Sequence, residues 1–291
     1  MKYLERPPES HRLKPYVVCV WTLQRTYSGA DDCEVLWPDG YKDLIFHHGR
    51  VFRVGGELLP PSFVMGTLSG CCRLDAEGEL VLYGIRLYPW GLYAISGQPG
   101  QRFNDRFMPL AEFIKDRWAG QAGETDRRLA ELEELEHDLA SAGMDDAQRR
   151  LEAFLEDWID PAWEDRALFG VIDRLYHRPA EYGVADAARD AGLSLRQFER
   201  RCVRVTGIPP KRLHKIARFN QVRIRLLLRP DLDLHDLMLE AGYYDYSHFS
   251  KDFRQCLGAT PVEFRDWARR LAEDNGPEDV EFLQDSREHA G

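Results

Sequence analysis

The C-terminal half of the chain contains the pattern that most restricts its fold: a short apolar helix face, a glycine and a capped second helix, found twice about 50 residues apart. In the first copy the apolar face is formed by Val184, Ala187, Ala188 and Ala191. Gly192 follows, and glycine adopts positive φ without steric cost just beyond a helix end. Ser194 and Gln197 form a predicted capping box, so a new helix begins at Leu195. Two short helices joined in this way form a helix-turn-helix unit.

The second helix of this unit has two different faces. We expect its inward face to contain Phe198, Cys202 and Val205. Its outward face contains Arg196, Glu199, Arg200 and Arg204. The second helix of a helix-turn-helix enters the major groove of DNA, where Arg donates two hydrogen bonds to guanine and Glu accepts one from cytosine. The four outward residues are therefore predicted DNA contacts. The alternative is a solvated face that Arg200, Arg201 and Arg204 form with Glu199.

The second copy repeats this arrangement. Its first helix has an apolar face of Leu234, Leu237, Met238 and Ala241, followed by Gly242. Asp245 is the predicted cap of the next helix, whose inward residues are Phe249, Phe253 and Leu257. On or near its leading outer face lie Tyr246, Ser247, His248, Ser250 and Lys251. For His248 we expect a donor that faces the groove, with a pH switch as the alternative.

A single long helix is predicted between the two copies, because residues 211–229 contain neither Gly nor Pro. Such a helix would fix the separation of the two outer helices, and a separation of about 34 Å would match successive major grooves. The charge agrees with a DNA partner. Although the whole chain has a net charge of -10, residues 194–229 contain 11 basic residues and one acidic residue. Residues 161–270 contain 20 basic against 15 acidic residues.

The N-terminal 115 residues have the alternation typical of an antiparallel β-sandwich or small barrel. Short apolar runs lie at Val17–Leu23, Asp43–His47, Phe63–Leu68 and Leu80–Leu87. Turns are predicted between them at Pro38-Asp39-Gly40, Gly55-Gly56, Pro60-Pro61 and Glu77-Gly78-Glu79.

A helical region follows, with leucines at helical spacing: Leu129, Leu132, Leu135 and Leu139. We interpret it as a solvated helical pair between two domains; the alternative is a leucine stripe that pairs with a second copy of the chain. The acidic residues 273–291 are expected to form a frayed tail.

Several function classes lack support in the sequence. No apolar run reaches the ~20 residues of a membrane span, and the first residues do not resemble a secretory signal, so we expect a cytoplasmic protein. Six cysteines without a C-x-x-C pair predict reduced thiols. No nucleophile elbow, phosphate loop or H-E-x-x-H motif occurs. We therefore expect no enzyme, catalytic residue, cofactor or metal.

The C-terminal motifs resemble a known family. Residues 165–270 are similar to the DNA-binding domain of AraC/XylS-type transcriptional regulators, through VADAARDAGLSLRQFERRC, TGIPPKRL and AGYYDYSHFSKDFRQCLGATPVEFR. Cys202, Val222 and Lys251 depart from the residues usual in that family. The resemblance implies base contacts on both second helices and phosphate contacts at Lys211, Arg212 and Arg254.

The N-terminal half resembles the corresponding domain of a subset of these regulators, through WPDGYKDLIFHHG, GIRLYPWGLYAISG and RFNDRFMPLAEF. This resemblance implies a cupin-like β-barrel followed by dimerisation helices. The candidate ligand-binding residues are Trp37, Asp39, Tyr41, Asp43, Arg86 and Trp90, joined by Tyr88 and Tyr93 as further aromatic walls. His47-His48 and Cys71-Cys72 leave open two alternatives, a metal-dependent enzyme and a thiol or metal sensor.

The expected fold is α+β: an N-terminal antiparallel, cupin-like barrel (1–115), a helical connector or dimerisation region (116–160), an all-α domain with two helix-turn-helix units (161–272) and the tail (273–291). The expected function is sequence-specific transcription regulation, modulated by a small effector or by dimerisation. The expected partners are double-stranded DNA and a second copy of the chain, with a small-molecule effector and RNA polymerase as further candidates and no membrane.

Overall fold

The computed structural model describes residues 2–27, 33–163 and 165–275, and these residues form two compact units. The first unit contains the described residues of Met1–Leu36, Tyr41–Thr67 and Cys72–Glu164. The second contains those of Trp37–Gly40, Leu68–Cys71 and Asp165–Gly291. Residues 276–291, most of the predicted acidic tail, lie outside the described residues.

An antiparallel sheet forms the frame of the first unit. Its described strands are β1 (Lys2–Arg6), β2 (Val17–Tyr27), β3 (Cys33–Leu36), β4 (Lys42–Val54), β5 (Glu57–Leu58), β6 (Ser62–Met65), β7 (Cys72–Leu87) and β8 (Phe107–Pro109). The hydrogen-bonded order is β1-β2-β7-β4-β6-β8, with β3 beside β7 and β5 beside β4. The antiparallel sheet predicted from the alternating apolar runs is confirmed.

Two of the predicted turns have different outcomes. Gly55-Gly56 joins β4 to β5 with φ of +56° and +85°, the two positive values of a type I′ hairpin turn. The turn predicted at Glu77-Gly78-Glu79 is wrong, because these residues belong to β7. There Glu77 pairs with β4 while Gly78 and Glu79 pair with β2. Pairing with neighbouring strands satisfies backbone groups that a local turn would have satisfied.

The absence of a side chain at Gly84 makes room for the indole ring of Trp21 on the neighbouring strand. Trp21 on β2 lies opposite Gly84 on β7, and a Cβ added at Gly84 would lie 2.2 Å from Cε2 of the indole. The Trp21 ring therefore requires glycine at position 84. Its Nε1 atom donates a hydrogen bond to Asp43 at 3.0 Å.

Four α-helices of the described chain complete the first unit: α1 (Gly91–Ser96), α2 (Leu110–Arg117), α3 (Ala122–Leu139) and α4 (Met144–Glu156). Sheet and helix side chains share one core. Phe46 of β4 meets Phe154 of α4 edge-on at 6.4 Å, and Phe113 of α2 stacks on Trp158 at 5.6 Å. The helices are therefore part of the hydrophobic core of this unit.

The leucine stripe of α3 faces this same core. Leu132, Leu135 and Leu139 are 4%, 6% and 0% exposed, and Leu129 packs against them partly buried. The stripe is thus covered by residues of its own chain. A dimer of this protein would have to use another surface.

The second unit is helical. Its α-helices are α5 (Arg166–His177), α6 (Val184–Asp190), α7 (Leu195–Thr206), α8 (Pro210–Leu228), α9 (Leu234–Glu240), α10 (Tyr246–Leu257) and α11 (Pro261–Asn275). Helix α8 confirms the long helix predicted over 211–229. The α+β class, with an antiparallel N-terminal sheet and a helical C-terminal part, is also confirmed. Among the described helices, none combines the length and apolar character that a membrane span needs.

Two turns, α6–α7 and α9–α10, have the same backbone geometry. Leu193 N–H donates to Ala188 O at 2.9 Å, and Tyr243 N–H donates to Met238 O at 3.0 Å. The glycine enclosed by this bond has φ of +66° in the first turn and +76° in the second: Gly192 and Gly242. Both helix-turn-helix units predicted from the sequence are therefore present.

Beyond the glycine, the second turn is one residue longer than the first. Helix α7 is capped by Ser194, whose Oγ accepts a hydrogen bond from Gln197 N–H at 3.3 Å. In return, Gln197 Oε1 accepts from Ser194 N–H at 3.0 Å. Helix α10 is capped by Asp245, which accepts from His248 N–H at 2.8 Å. Equivalent positions of α7 and α10 are thus 51 residues apart, whereas those before the turn are 50 apart.

We predict that truncation of the stripe destabilises the first unit. Leu139→Ala should lower its free energy of unfolding by about 2–5 kcal/mol, because a fully buried leucine leaves a cavity. Leu129→Ala, at a partly buried position, should cost less. Urea unfolding followed by tryptophan fluorescence measures both. An unchanged stability of Leu139→Ala together with a shift towards monomer would instead identify a subunit seam.

The turn glycines give a second prediction. Gly192→Ala should cost about 1–2 kcal/mol, because its positive φ is strained for alanine. Gly242→Ala should cost more, because its Cβ would also lie 3.2 Å from Cα of Ala180. Gly170→Ala is the control: this exposed position inside α5 is open, so alanine should stabilise the helix by about 0.5–1 kcal/mol. Thermal unfolding of the three variants checks the order, and equal effects of all three would contradict it.

Candidate nucleic-acid interface

Helices α7 and α10 present their predicted DNA contacts on outer faces. Eight of the nine residues are exposed and Ser250 is half-buried: Arg196, Glu199, Arg200, Arg204, Tyr246, Ser247, His248, Ser250 and Lys251. The inward residues Phe198, Cys202, Phe249 and Phe253 are fully buried. The 51-residue offset makes Arg196 equivalent to Ser247, Glu199 to Ser250, and Arg200 to Lys251. Each helix therefore offers the same three outer positions with different chemistry.

In the described part of the chain no hydrogen bond or ion pair engages Arg196, Glu199 or Arg200. Arg201 behaves differently. Its guanidinium binds the carboxylate of Asp165, which also caps α5 by accepting from Leu168 N–H at 3.1 Å. The side chain of Arg201 thus holds α7 to the start of α5.

A buried carboxylate in the second unit was missed by the sequence reasoning. Asp252 on α10 is 1% exposed, and its carboxylate lies 2.9 Å from Lys215 Nζ and 3.7 Å from Arg218 Nη2, both on α8. It also accepts a hydrogen bond from Tyr243 Oη at 3.2 Å. Burial raises the pKa of Tyr243, whose phenol therefore stays protonated and donates. The signal in the sequence was a carboxylate three residues after the inward-facing Phe249.

This ion pair is the counterpart of Arg201–Asp165 with the charges exchanged. Asp252 stands 51 residues after Arg201, and Lys215 stands 50 residues after Asp165, which are the offsets of the two units. A charged side chain of α7 is therefore tied to the N-terminus of α5, and one of α10 is tied to α8.

The predicted phosphate contacts also lie on exposed positions: Lys211, Arg212 and Arg254. Lys211 and Arg212 are in the first turn of α8. Arg212 Nη2 donates to Ser69 O at 2.8 Å within the second unit. Helix α8 has 19 residues, and at 1.5 Å per residue it spans about 28 Å.

Three of the candidate ligand-binding residues form one cluster in the first unit. Asp43 on β4 and Arg86 on β7 are paired across the strands, with Arg86 Nε and Nη2 at 3.3 and 3.4 Å from the carboxylate. Asp43 is 1% exposed, whereas the Arg86 side chain is 31% exposed. The guanidinium lies 5.5 Å from the ring centre of Tyr41. A buried carboxylate thus holds a partly exposed arginine beside an aromatic face.

Trp90 adjoins this cluster through Tyr88, whose ring centre lies 6.5 Å from that of Tyr41. Trp90 donates through Nε1 to Pro15 O at 2.8 Å and stacks on Tyr88 at 4.9 Å. Trp37 and Asp39 belong to the second unit. There Arg223 lies 4.7 Å from the ring of Trp37, and the hydroxyl of Tyr176 donates to Asp39 O.

The two residues of each pair, His47-His48 and Cys71-Cys72, contact different neighbours. His47 donates through Nε2–H to Pro60 O at 2.7 Å, while the His48 ring lies against Tyr83. Burial lowers the pKa of both imidazoles. Within the described residues, no three His, Cys, Asp or Glu side chains come together as a metal site.

Of the two cysteines, Cys71 belongs to the second unit and Cys72 to β7 of the first. Cys71 Sγ lies 3.3 Å from Cys256 O. Burial raises the pKa of the Cys72 thiol, which lowers its reactive thiolate fraction.

Two known families match this chain. Residues 187–266 match a helix-turn-helix domain family, and residues 5–109 match a domain of unknown function, DUF6597. The first match covers α7 to α10 together with both turns.

Individual proteins resemble this chain over a part of its length or at low sequence identity. The HTH-type transcriptional regulator ExsA of Pseudomonas aeruginosa is 30% identical over 93 residues, which is 31% of this chain and 32% of ExsA. The chain thus aligns with about a third of that relative. Solved structures of ToxT from Vibrio cholerae include one at 10% identity and a TM-score of 0.43, covering 84% of this chain and 98% of ToxT. Another, described as bound to an unsaturated fatty acid, has 12% identity and a TM-score of 0.41, covering 84% and 94%. These superpositions are too loose to transfer a ligand or a mechanism.

The doubled turn geometry and the match over residues 187–266 identify a helix-turn-helix domain in the C-terminal unit, as its resemblance to AraC/XylS-type transcriptional regulators implied.

Proposed function

We propose that this protein regulates transcription by binding specific DNA sequences with two helices, α7 and α10, in successive major grooves. One observation carries the proposal: both helices follow the same glycine turn, and both expose the same outer positions. A helix that presents several hydrogen-bonding side chains on the face opposite its buried aromatic residues is suited to base edges.

The side chains of α7 define its preference. Arg196 and Arg200 would each donate two hydrogen bonds to O6 and N7 of guanine, and Glu199 would accept from N4 of cytosine. These three groups are unengaged within the described chain, so no internal bond has to break before they bind DNA. Helix α10 offers smaller groups at the equivalent positions, Ser247 and Ser250, with Lys251 as a point charge.

Affinity without sequence information would come from phosphate contacts. Lys211 and Arg212 follow the C-terminus of α7 by five and six residues, and Arg254 is in the last turn of α10. Each phosphate neutralised by such a cation releases counterions from DNA. The 11 basic residues against one acidic residue in 194–229 support strong salt dependence.

We further propose that the first unit regulates this activity and performs no chemistry of its own. A small effector with a carboxylate or phosphate group would bind at Arg86, which is held by Asp43 beside Tyr41. An effector acts only if it binds one arrangement of the protein better than another. Self-association and contact with RNA polymerase are the partner interactions we propose for transcriptional control.

The DNA contacts lead to a paired prediction. Arg200→Ala should weaken binding to the selected sequence by about 1–3 kcal/mol and relax the preference at one base pair. Lys211→Ala should weaken all sequences alike and lower the salt slope by about one. Binding of the full chain to duplexes selected from random DNA, measured over a range of salt concentrations, separates the two effects.

The matched control is Arg189→Ala, an exposed arginine of α6 that pairs with Asp186 on its own helix. It should alter neither preference nor salt slope. A base preference that survives Arg200→Ala unchanged would remove Arg200 from the set of base contacts. Failure of the unmodified chain to select any sequence would reject the proposed function.

The effector site also has a test. A bound effector at 100 times its Kd should stabilise the chain by about 2.7 kcal/mol, so thermal shift against a panel of small anions should reveal it. Arg86→Gln should abolish the shift while Arg53→Gln, at an exposed hairpin position, should preserve it. A shift that persists in Arg86→Gln would place the effector elsewhere.

A further inference from the structure

His248 is a predicted base contact whose ring lies beside a buried carboxylate. Its Nε2 atom lies 3.7 Å from the Asp252 carboxylate, one helical turn along α10. Its ring also meets the Tyr243 ring edge-on, with centres 5.5 Å apart and planes at 78°. The side chain is nevertheless 50% exposed. Protein thus lies against one side of the imidazole, and the other side is open.

The first helix-turn-helix unit has a different arrangement at the same position. Gln197 is equivalent to His248, since both are the third residue of their helix. Gln197 turns back to cap α7 through its contact with Ser194. In α10 the side chain of Asp245 caps the helix alone. The His248 side chain is released from capping and faces Asp252 instead.

The carboxylate itself is held in place from several sides. Lys215 and Arg218 of α8 supply two positive charges at 2.9 and 3.7 Å, and Tyr243 Oη donates at 3.2 Å. Arg218 in turn lies 4.3 Å from the ring centre of Tyr243. A buried carboxylate requires such partners to remain ionised. Asp252 is therefore a fixed negative acceptor beneath His248.

A neutral imidazole has one N–H donor and one acceptor nitrogen, and its surroundings select the tautomer. A carboxylate beside Nε2 favours the proton on Nε2, which leaves Nδ1 as an acceptor. In the major groove an acceptor is complementary to the amino groups of adenine N6 and cytosine N4. Guanine O6 and thymine O4 are themselves acceptors and do not pair with it.

We propose that Asp252 is a positioning residue that sets the base preference of His248, by holding it as the Nε2–H tautomer so that Nδ1 accepts from adenine or cytosine. This inference rests on the proposed function, because it assigns one base pair of the DNA site. It also adds a buried residue, which does not touch DNA, to the groups that determine specificity.

The test begins with selection from random duplex DNA at about pH 8, where a free imidazole is neutral. His248→Ala identifies the base pair that His248 contacts. At that pair the unmodified chain should prefer adenine or cytosine by roughly fivefold, the size of one net hydrogen bond. Asp252→Asn should lose this preference at the same pair and at no other. The double variant should match His248→Ala, because the two residues act through one contact.

Lys215→Gln is the matched control, because it removes another partner of the same carboxylate and leaves His248 in place. It should lower thermal stability and retain the preference at the His248 base pair. If Lys215→Gln and Asp252→Asn relax the preference equally, the effect is general loosening of α10 and the inference fails. It also fails if Asp252→Asn leaves the preference intact while His248→Ala removes it, or if His248→Ala alters no base pair.

A measurement on the unmodified full chain covers the case in which Asp252→Asn does not fold. Long-range ¹H–¹⁵N correlation spectra of histidine side chains distinguish the two neutral tautomers. The His248 signal should show the Nε2–H form at about pH 8, and the Nδ1–H form would overturn the inference. Loss of all sequence selection by the unmodified chain would instead reject the proposed function, so the two failures are distinguishable.

Discussion

The direction of each exposed helix depends on one backbone constraint, a glycine of positive φ enclosed by a hydrogen bond from the residue after it. Gly192 and Gly242 meet this constraint in the same way. Because the turn and the cap residue after it together fix where the next helix begins, they also fix which side chains point outward, at about 100° per residue. The buried phenylalanines Phe198 and Phe249 then hold that rotation against the core. The proposed base contacts depend on this orientation of the two helices.

Much of the helical unit followed from the sequence because its determinants are local. A capping box, a glycine and an apolar periodicity act within a few residues, and Ser194, Gln197 and Gly192 have the predicted roles. The ion pairs that steady the exposed helices join residues 36 or 37 positions apart. No periodicity indicates such partners, so Asp252 and the Arg201–Asp165 pair required the structure.

The first unit was predictable as a class but not in detail. Alternating apolar runs indicated antiparallel strands, yet the turn expected near Gly78 is a strand because β2 and β4 pair with β7 there. The leucines of α3 had the right spacing for a helix, but spacing does not say which residues bury their side chains. The cover is the core of the same unit. Asp43 and Arg86 were named as separate charges, and only the strand register makes them a pair.

The exchanged charges of the two units have a consequence for protein engineering. An α10 grafted in place of α7 would bring Asp252 towards Asp165, and the reverse graft would bring Arg201 towards Lys215. Like charges would then meet where the structure now has an attraction. The two helices are therefore not interchangeable. A graft of α7 must include Asp165, and a graft of α10 must include Lys215.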